Sequence, residues 1–101
     1  MPSKPPVMFP SDTRILERLG ERLRLARLRR RFSTELVAAR ARISRTTLYR
    51  AEKGNPAITM GVYLRILAVY GLERDLDRLA ADDTLGRELQ DATMASRGRS
   101  S

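Results

Sequence analysis

The fold is decided by residues 33–54, which read STELVAARARISRTTLYRAEKG. Two serines in this stretch precede apolar residues at helical spacing, and a serine hydroxyl can accept a backbone N–H of the first helical turn. Ser33 therefore predicts the start of one helix and Ser44 the start of the next, so the first helix ends near Ala41. Gly54 predicts the end of the second helix, because glycine adopts a left-handed backbone without a Cβ clash.

The second of these helices, predicted over residues 45–53, has an apolar side and a polar side. Leu48 and Ala51 are spaced to face inward. The residues that face outward are polar or cationic: Arg45, Thr46, Tyr49 and Arg50. Two short helices joined by a tight turn, with a cationic outer face on the second, are typical of the helix-turn-helix motif.

Three segments together resemble the Xre or phage-repressor family of DNA-binding domains. They read LGERLRLAR over residues 19–27, STE over residues 33–35 and ISRTTLYRAEKG over residues 43–54, within a likeness that spans about residues 12–72. The family usually has Gln where Thr34 stands and often has Gly where Arg42 stands. We therefore expect Arg42 to adopt a positive φ.

Helical patterns outside this stretch predict three further helices and an all-α fold. Ser11 or Asp12 is the expected cap of a long first helix that ends near residue 30. Its inward stripe consists of Ile15, Leu16, Leu19, Leu23 and Ala26. Thr59 is the expected cap of a fourth helix that ends before Gly71, with a stripe of Met60, Tyr63, Ile66, Leu67 and Tyr70. A fifth helix over residues 72–80, with Leu72, Leu76 and Leu79 on one side, completes a compact five-helix bundle of the phage-repressor type.

The domain organisation follows from where these patterns stop. Residues 1–11 hold four prolines and predict a flexible extended arm, and residues 12–81 form the helix-turn-helix domain. Residues 82–101 form a tail. Leu85 and Leu89 suit a short helix before residue 93, which either docks on the domain or orders on a partner, and disorder is expected after it.

The positive charge is concentrated in the half of the chain that contains the motif. The 101 residues carry a net charge of +8; residues 14–53 contain 13 basic and 4 acidic side chains, whereas residues 54–101 contain 6 and 7. A basic region of this kind attracts a polyanion. An anionic membrane surface satisfies the charge alone, but the charge and the motif together favour nucleic acid.

Composition argues against several classes of protein. The chain has neither cysteine nor histidine, which excludes disulfides, thiolate and imidazole chemistry, and the usual zinc sites. No phosphate-binding glycine loop, metal-ligand spacing or apolar run of about 20 residues is present. We therefore expect no enzyme, metal, cofactor or membrane span, and a protein of the reducing cytoplasm that joins the nucleoid when it binds DNA.

The leading hypothesis is sequence-specific binding to duplex DNA, with the second motif helix in the major groove. The expected base contacts are Arg45, Thr46, Tyr49 and Arg50. Phosphate contacts are expected from Ser33, Thr34, Ser44 and Asn55, since hydroxyls and free N–H groups at helix starts suit phosphate. Helix capping by the hydroxyl residues and a simple Asn-Pro turn at Asn55 are the alternatives. A homodimer on an inverted-repeat operator is expected, because one monomer reads few base pairs.

Three biological roles remain open. Residues 72–92 are similar, more loosely, to the small HipB-like antitoxins encoded beside HipA-like kinases. That resemblance implies an autorepressing antitoxin of a HipBA-like toxin–antitoxin operon, with a HipA-like kinase toxin as partner. The alternatives are a stand-alone Xre-type repressor and an interaction module that has lost DNA binding. The outward Arg45, Thr46 and Arg50 argue against the last of these.

Overall fold

The fold is given by a computed structural model, which describes residues 5–99. The described residues form six α-helices and no strand: α1 Pro10–Arg29, α2 Thr34–Ala41, α3 Arg45–Glu52, α4 Met60–Val69, α5 Glu73–Asp77 and α6 Thr84–Arg99. The all-α prediction is confirmed. The predicted count of five helices is wrong by one, because the tail contains a full-length helix of its own.

Hydroxyl caps set the starts of the three central helices, as the sequence predicted. The Ser33 Oγ accepts the backbone N–H of Leu36 at 3.0 Å, and the Ser44 Oγ accepts that of Thr47 at 3.0 Å. Thr59 caps α4 in the same way. Each bond satisfies an N–H that has no partner within its helix.

The first helix begins earlier than predicted. Pro10, assigned from the sequence to an extended arm, is the first residue of α1, where its missing N–H costs nothing and its fixed φ suits the helix. Asp12 lies inside the helix, and its carboxylate accepts the backbone N–H of Phe9 at 3.2 Å. Neither Ser11 nor Asp12 is therefore the N-cap. Residues 5–9 have no regular secondary structure, and residues 1–4 of the predicted arm lie outside the described part.

The turn between α2 and α3 requires a left-handed residue. Arg42 has φ 58° and ψ 47°, and its N–H closes α2 on the carbonyl of Ala39 at 3.2 Å. The positive φ expected at this position is confirmed, as is the left-handed Gly54, with φ 72°, at the end of α3. Arg31 and Ala80 also have positive φ, and no sequence feature predicted either.

The core lies where α1 to α4 meet. Its most deeply buried large side chains are Leu23, Val37, Leu48 and Ile66. Small residues fill the helix contacts around them: Ala26, Ala38, Ala41 and Ala51. Alanine lets helix axes approach closely, so α3 is held tightly between α1 and α2 with its other side in solvent.

Three residues expected in the core are exposed: Ile15, Met60 and Leu79. Ile15 is exposed because the first turns of α1 extend past the end of α3, where Gly54 lies against the backbone of Leu16. Met60 is the first residue of α4 and lies at the edge of the bundle. Leu79 lies beyond α5, which ends at Asp77 and is shorter than the predicted helix of residues 72–80.

The tail differs most from the prediction. The helix expected to end before Thr93 continues to Arg99, so the disorder predicted from Thr93 is wrong as far as Arg99. Ser100 and Ser101 lie outside the described residues. From Thr84 to Arg97 every side chain of α6 is exposed, while Gly86 is half-buried. Within residues 5–99, no helix combines the length and the apolar character that crossing a bilayer requires.

Candidate nucleic-acid interface

An ion pair between α1 and α3 fixes the position of α3, the second helix of the motif. The Nε of Arg27 donates to Oε2 of Glu52 at 2.9 Å, and its Nη2 donates to Oε1 at 3.1 Å. The two side chains are only 12% and 8% exposed. The hydrogen bonding that Arg27 donates to Glu52 raises the pKa of Arg27, although burial acts in the opposite direction. This bidentate pair locks the rotation of α3.

Two glycines allow α1 to lie directly against the end of α3. A Cβ built on Gly20 would lie 2.6 Å from both the Glu52 carbonyl oxygen and the Gly54 nitrogen. Contacts that short do not occur in folded proteins, so only glycine fits at residue 20. The close approach brings Arg27, two helical turns further along α1, within reach of Glu52.

The exposed face of α3 is a narrow polar and cationic strip. Arg45, Thr46, Tyr49, Arg50 and Lys53 are all exposed. At 100° per residue these five positions fall within an arc of about 140°. Leu48 and Ala51 lie outside this arc and are buried, and Glu52 is buried at its edge. The four predicted base-contact residues therefore lie together, on one side of one helix.

The guanidinium of Arg45 has a carboxylate partner in the free protein. Its Nη1 donates to Oε1 of Glu35, in the first turn of α2, at 3.2 Å. Both side chains are largely exposed, at 67% and 75%. An exposed pair of this kind contributes about 0–1 kcal/mol and is weakened by salt. The pair therefore positions Arg45 without preventing it from binding another group.

Thr34 and Tyr49 line one surface depression of about 600 Å³, together with Lys53. The ammonium of Lys53 lies 5.4 Å from the centre of the Tyr49 ring. A cation over an aromatic face restrains both side chains. The start of α2 and the middle of α3 thus contribute to a single continuous surface.

The predicted phosphate contacts lie at both ends of α3. Ser44 precedes its first turn, and Ser33 and Thr34 begin the neighbouring α2. Asn55 lies beyond its last turn and is half-buried, with its Oδ1 accepting the N–H of Ala57 at 2.8 Å. The Asn-Pro turn is therefore present. The side-chain amide of Asn55 is left as a donor, because the turn uses only its oxygen.

Some of the arginines that make this half of the chain basic have structural roles. Arg30 donates to the carbonyl oxygens of Ala26 and Tyr70, at 2.9 and 3.0 Å, and connects the ends of α1 and α4. Arg27 is neutralised by Glu52. The cationic residues of the exposed α3 strip, in contrast, are not buried in the bundle. The α3 strip thus presents positive charge to a ligand, alongside exposed arginines elsewhere in residues 14–42.

Sequence reasoning missed two residues at this surface, Glu35 and Lys53. Glu35 lies ten residues from Arg45, a separation that no helical periodicity links, so only the fold brings them together. Lys53 follows Tyr49 by four residues, a spacing that places side chains on the same side of a helix and signalled the contact. Among residues 5–99, no group of three or more acidic side chains is placed to hold a metal ion.

An α-helix with exposed cationic and hydrogen-bonding side chains has the width and chemistry that the major groove of B-DNA accepts. A comparison with curated proteins finds no match. The helix-turn-helix domain family does match, over residues 18–80, which contain α2, α3, α4 and α5 and more than half of the chain. The protein therefore belongs to the helix-turn-helix domain family.

Proposed function

We propose that the protein is a sequence-specific regulator of transcription that reads duplex DNA with α3. The single observation that carries the proposal is the exposed strip of Arg45, Thr46, Tyr49 and Arg50 on a helix whose rotation is fixed by Arg27 and Glu52. A helix held in this way presents the same side chains to every site, which base readout requires. No catalytic activity is proposed.

Arg45 is the main specificity residue in this proposal. Its position in the first turn of α3 suits the end of a recognition helix that enters the groove first. A guanidinium makes bidentate bonds to guanine, worth about 1–3 kcal/mol of discrimination. Thr46, Tyr49 and Arg50 contact neighbouring bases. Ser33, Thr34, Ser44 and Asn55 contact phosphates, which set the register of the helix on the duplex.

The functional unit is a homodimer on an inverted-repeat operator, and the protein works in the cytoplasm, at the nucleoid when bound. One eight-residue recognition helix spans only about 12 Å and reads a few base pairs. Two copies related by a two-fold axis double the site that is read. An operator upstream of its own gene makes the protein an autorepressor.

The test is a titration of the full chain against its own upstream DNA, with non-specific competitor, at two salt concentrations. We expect a discrete complex that resists competitor, and a loss of affinity of about 10- to 100-fold on Arg45→Ala. Arg74→Ala is the matched control, because it removes the same charge from α5, which packs on α4 instead of α3. Binding that competitor abolishes and salt removes contradicts sequence-specific reading and leaves only phosphate attraction.

An antitoxin role is a second candidate within the same class. It rests on the loose likeness of residues 72–92 to HipB-like antitoxins, and on the exposed α6, which offers a surface for a HipA-like kinase. No curated relative supports this role. The alternative is a stand-alone Xre-type repressor. Co-purification of the protein with the product of a neighbouring kinase gene, at a fixed stoichiometry, separates the two.

A further inference from the structure

An apolar groove lies on the bundle away from the α3 strip. It has a volume of about 550 Å³ and runs between α1 and the α4–α5 pair. Seven of its twelve lining residues are leucines: Leu16, Leu19, Leu23, Leu67, Leu72, Leu76 and Leu79. Met60 and Leu79 extend the apolar surface to the rim, where both are exposed. A continuous exposed apolar surface of this kind is typical of an interaction site.

The same chain carries an unpartnered amphipathic helix. Leu85, Leu89 and Ala92 lie along one stripe of α6 at helical spacing, and the two leucines are 66% and 60% exposed. A 16-residue helix is marginal in water on its own, and Gly86 weakens it by about a further 1 kcal/mol. Packing of the leucine stripe against another apolar surface supplies the stability that α6 lacks by itself.

The chain path directs α6 away from the groove of its own molecule. Residues 78–83 leave α5 through Ala80, whose φ is 59°. Asp83 caps the start of α6: its Oδ1 accepts the backbone N–H of Gly86 at 3.0 Å. The described chain measures 63 Å in its longest direction but only 29 and 24 Å in the others. The helix therefore extends beyond the bundle, and the groove beside α1 is left open.

We infer that two copies of the chain exchange α6, each laying its Leu85–Leu89 stripe in the apolar groove of the other. The exchange fills both unpartnered surfaces at once. It is isologous, so the contact is made twice and closes at two copies. It also leaves α3 of both copies exposed, because the groove and the α3 strip have no lining residue in common.

Charge at the groove agrees with this occupant. Arg22 on α1 and Asp75 on α5 are the only charged residues among those that line it. On α6, Glu88 lies on one flank of the leucine stripe. In the orientation that brings Glu88 to the α1 wall, its carboxylate can pair with Arg22, so the helix combines an apolar stripe with a charge complementary to that edge.

The first test measures mass by light scattering without DNA. This inference deepens the proposed homodimer, and measurement without DNA separates it from the proposed DNA reading. We expect a dimer for the full chain, and a dissociation constant of that dimer raised at least about 100-fold by the double substitution Leu85→Lys and Leu89→Lys.

Met94→Lys is the control, because Met94 is 62% exposed on the opposite side of α6. A dimer that survives the double substitution overturns the exchange but leaves the homodimer standing. A monomeric full chain overturns both.

Crosslinking then distinguishes exchange from docking within one chain. The protein has no cysteine, so introduced cysteines can pair only with each other. One chain carries Leu79→Cys, and a second chain of different length carries Leu89→Cys, so a disulfide between the two chains is recognised by its mass. A mixture of the two is expected to form the mixed disulfide under mild oxidation, and Met94→Cys in place of Leu89→Cys is expected not to. Crosslinking confined to a chain that carries both cysteines means that α6 docks in its own groove. The absence of both products means that a different partner covers these surfaces. Either result overturns the exchange.

Discussion

The carboxylate of Glu52 on α3 accepts two hydrogen bonds from the guanidinium of Arg27 on α1, and both side chains are largely buried. Arg27 also donates from Nη1 to the carbonyl oxygen of Phe32, at 3.3 Å, in the loop that leads to α2. One side chain therefore connects the first helix, the second motif helix and the loop that enters the motif. The orientation of the exposed α3 strip depends on this contact.

We expect Arg27→Met to destabilise the fold by about 3 kcal/mol, because it leaves the Glu52 carboxylate buried without a partner. Glu52→Leu leaves the guanidinium unpaired and is expected to have a similar effect. The double variant removes both charges and should cost less than the sum of the two single changes. Urea unfolding monitored by circular dichroism measures all three. Strict additivity contradicts the coupling.

Two glycine-to-alanine changes are expected to have opposite effects. Gly20→Ala forces a Cβ against the backbone of α3 and should cost several kcal/mol, since neither backbone can move without opening the bundle. Gly61→Ala in α4 meets nothing closer than 3.8 Å and should stabilise by up to about 1 kcal/mol, because alanine is the better helix former. Thermal unfolding of both variants measures this, and a neutral Gly20→Ala contradicts the close approach of α1 to α3.

The central helices could be predicted from the sequence because their signals are local. Ser33, Ser44 and Thr59 each cap a helix through a backbone N–H three residues away, and the turn at Arg42 is bounded by two such helices. Local patterns thus determine the elements that carry the exposed α3 strip.

The remaining features depend on tertiary context. The exposure of Ile15 depends on where α3 ends, and the pairing of Glu35 with Arg45 depends on how α2 and α3 pack. The length of α6 was underestimated because polar residues after Ala92 resemble a disordered tail by composition. No alternation of apolar and polar residues reveals any of these three outcomes.

Tyr70 gives the fold a dependence on alkaline pH. Burial, and to a smaller extent the charge of Glu52, raises the pKa of Tyr70 from 10.0 to about 12. Between these two values the unfolded chain releases the phenolic proton and the folded chain keeps it. The free energy of unfolding therefore falls as pH rises from about 10 to about 12. We expect Tyr70→Phe to reduce that fall, measured as urea midpoints at several pH values.

At neutral pH the same substitution should change stability by less than about 1 kcal/mol, because the Tyr70 hydroxyl is buried and finds no hydrogen-bond partner among the described residues. Tyr63→Phe is the matched comparison. Its hydroxyl donates to the carbonyl oxygen of Asn55 at 3.2 Å, so its loss should cost about 1 kcal/mol. Equal effects of the two substitutions at neutral pH contradict the difference in hydrogen bonding.

We expect the Glu35 carboxylate to weaken the binding of DNA to the protein. This carboxylate accepts a hydrogen bond from Arg45 and adds a negative charge beside the surface that we propose approaches phosphates. Glu35→Gln removes the charge and retains the shape. We expect the free energy of unfolding to change by less than about 1 kcal/mol, since the pair is exposed. We expect DNA to bind up to about fivefold more tightly at low salt.

Titration of the same duplex at rising salt should show this gain in affinity shrink, because screening weakens both the ion pair and the repulsion between Glu35 and phosphate. Asp91→Asn, on the side of α6 away from the leucine stripe, is the control and should leave affinity unchanged. If Glu35→Gln instead weakens binding, the carboxylate serves to hold Arg45 in the geometry that reads the base.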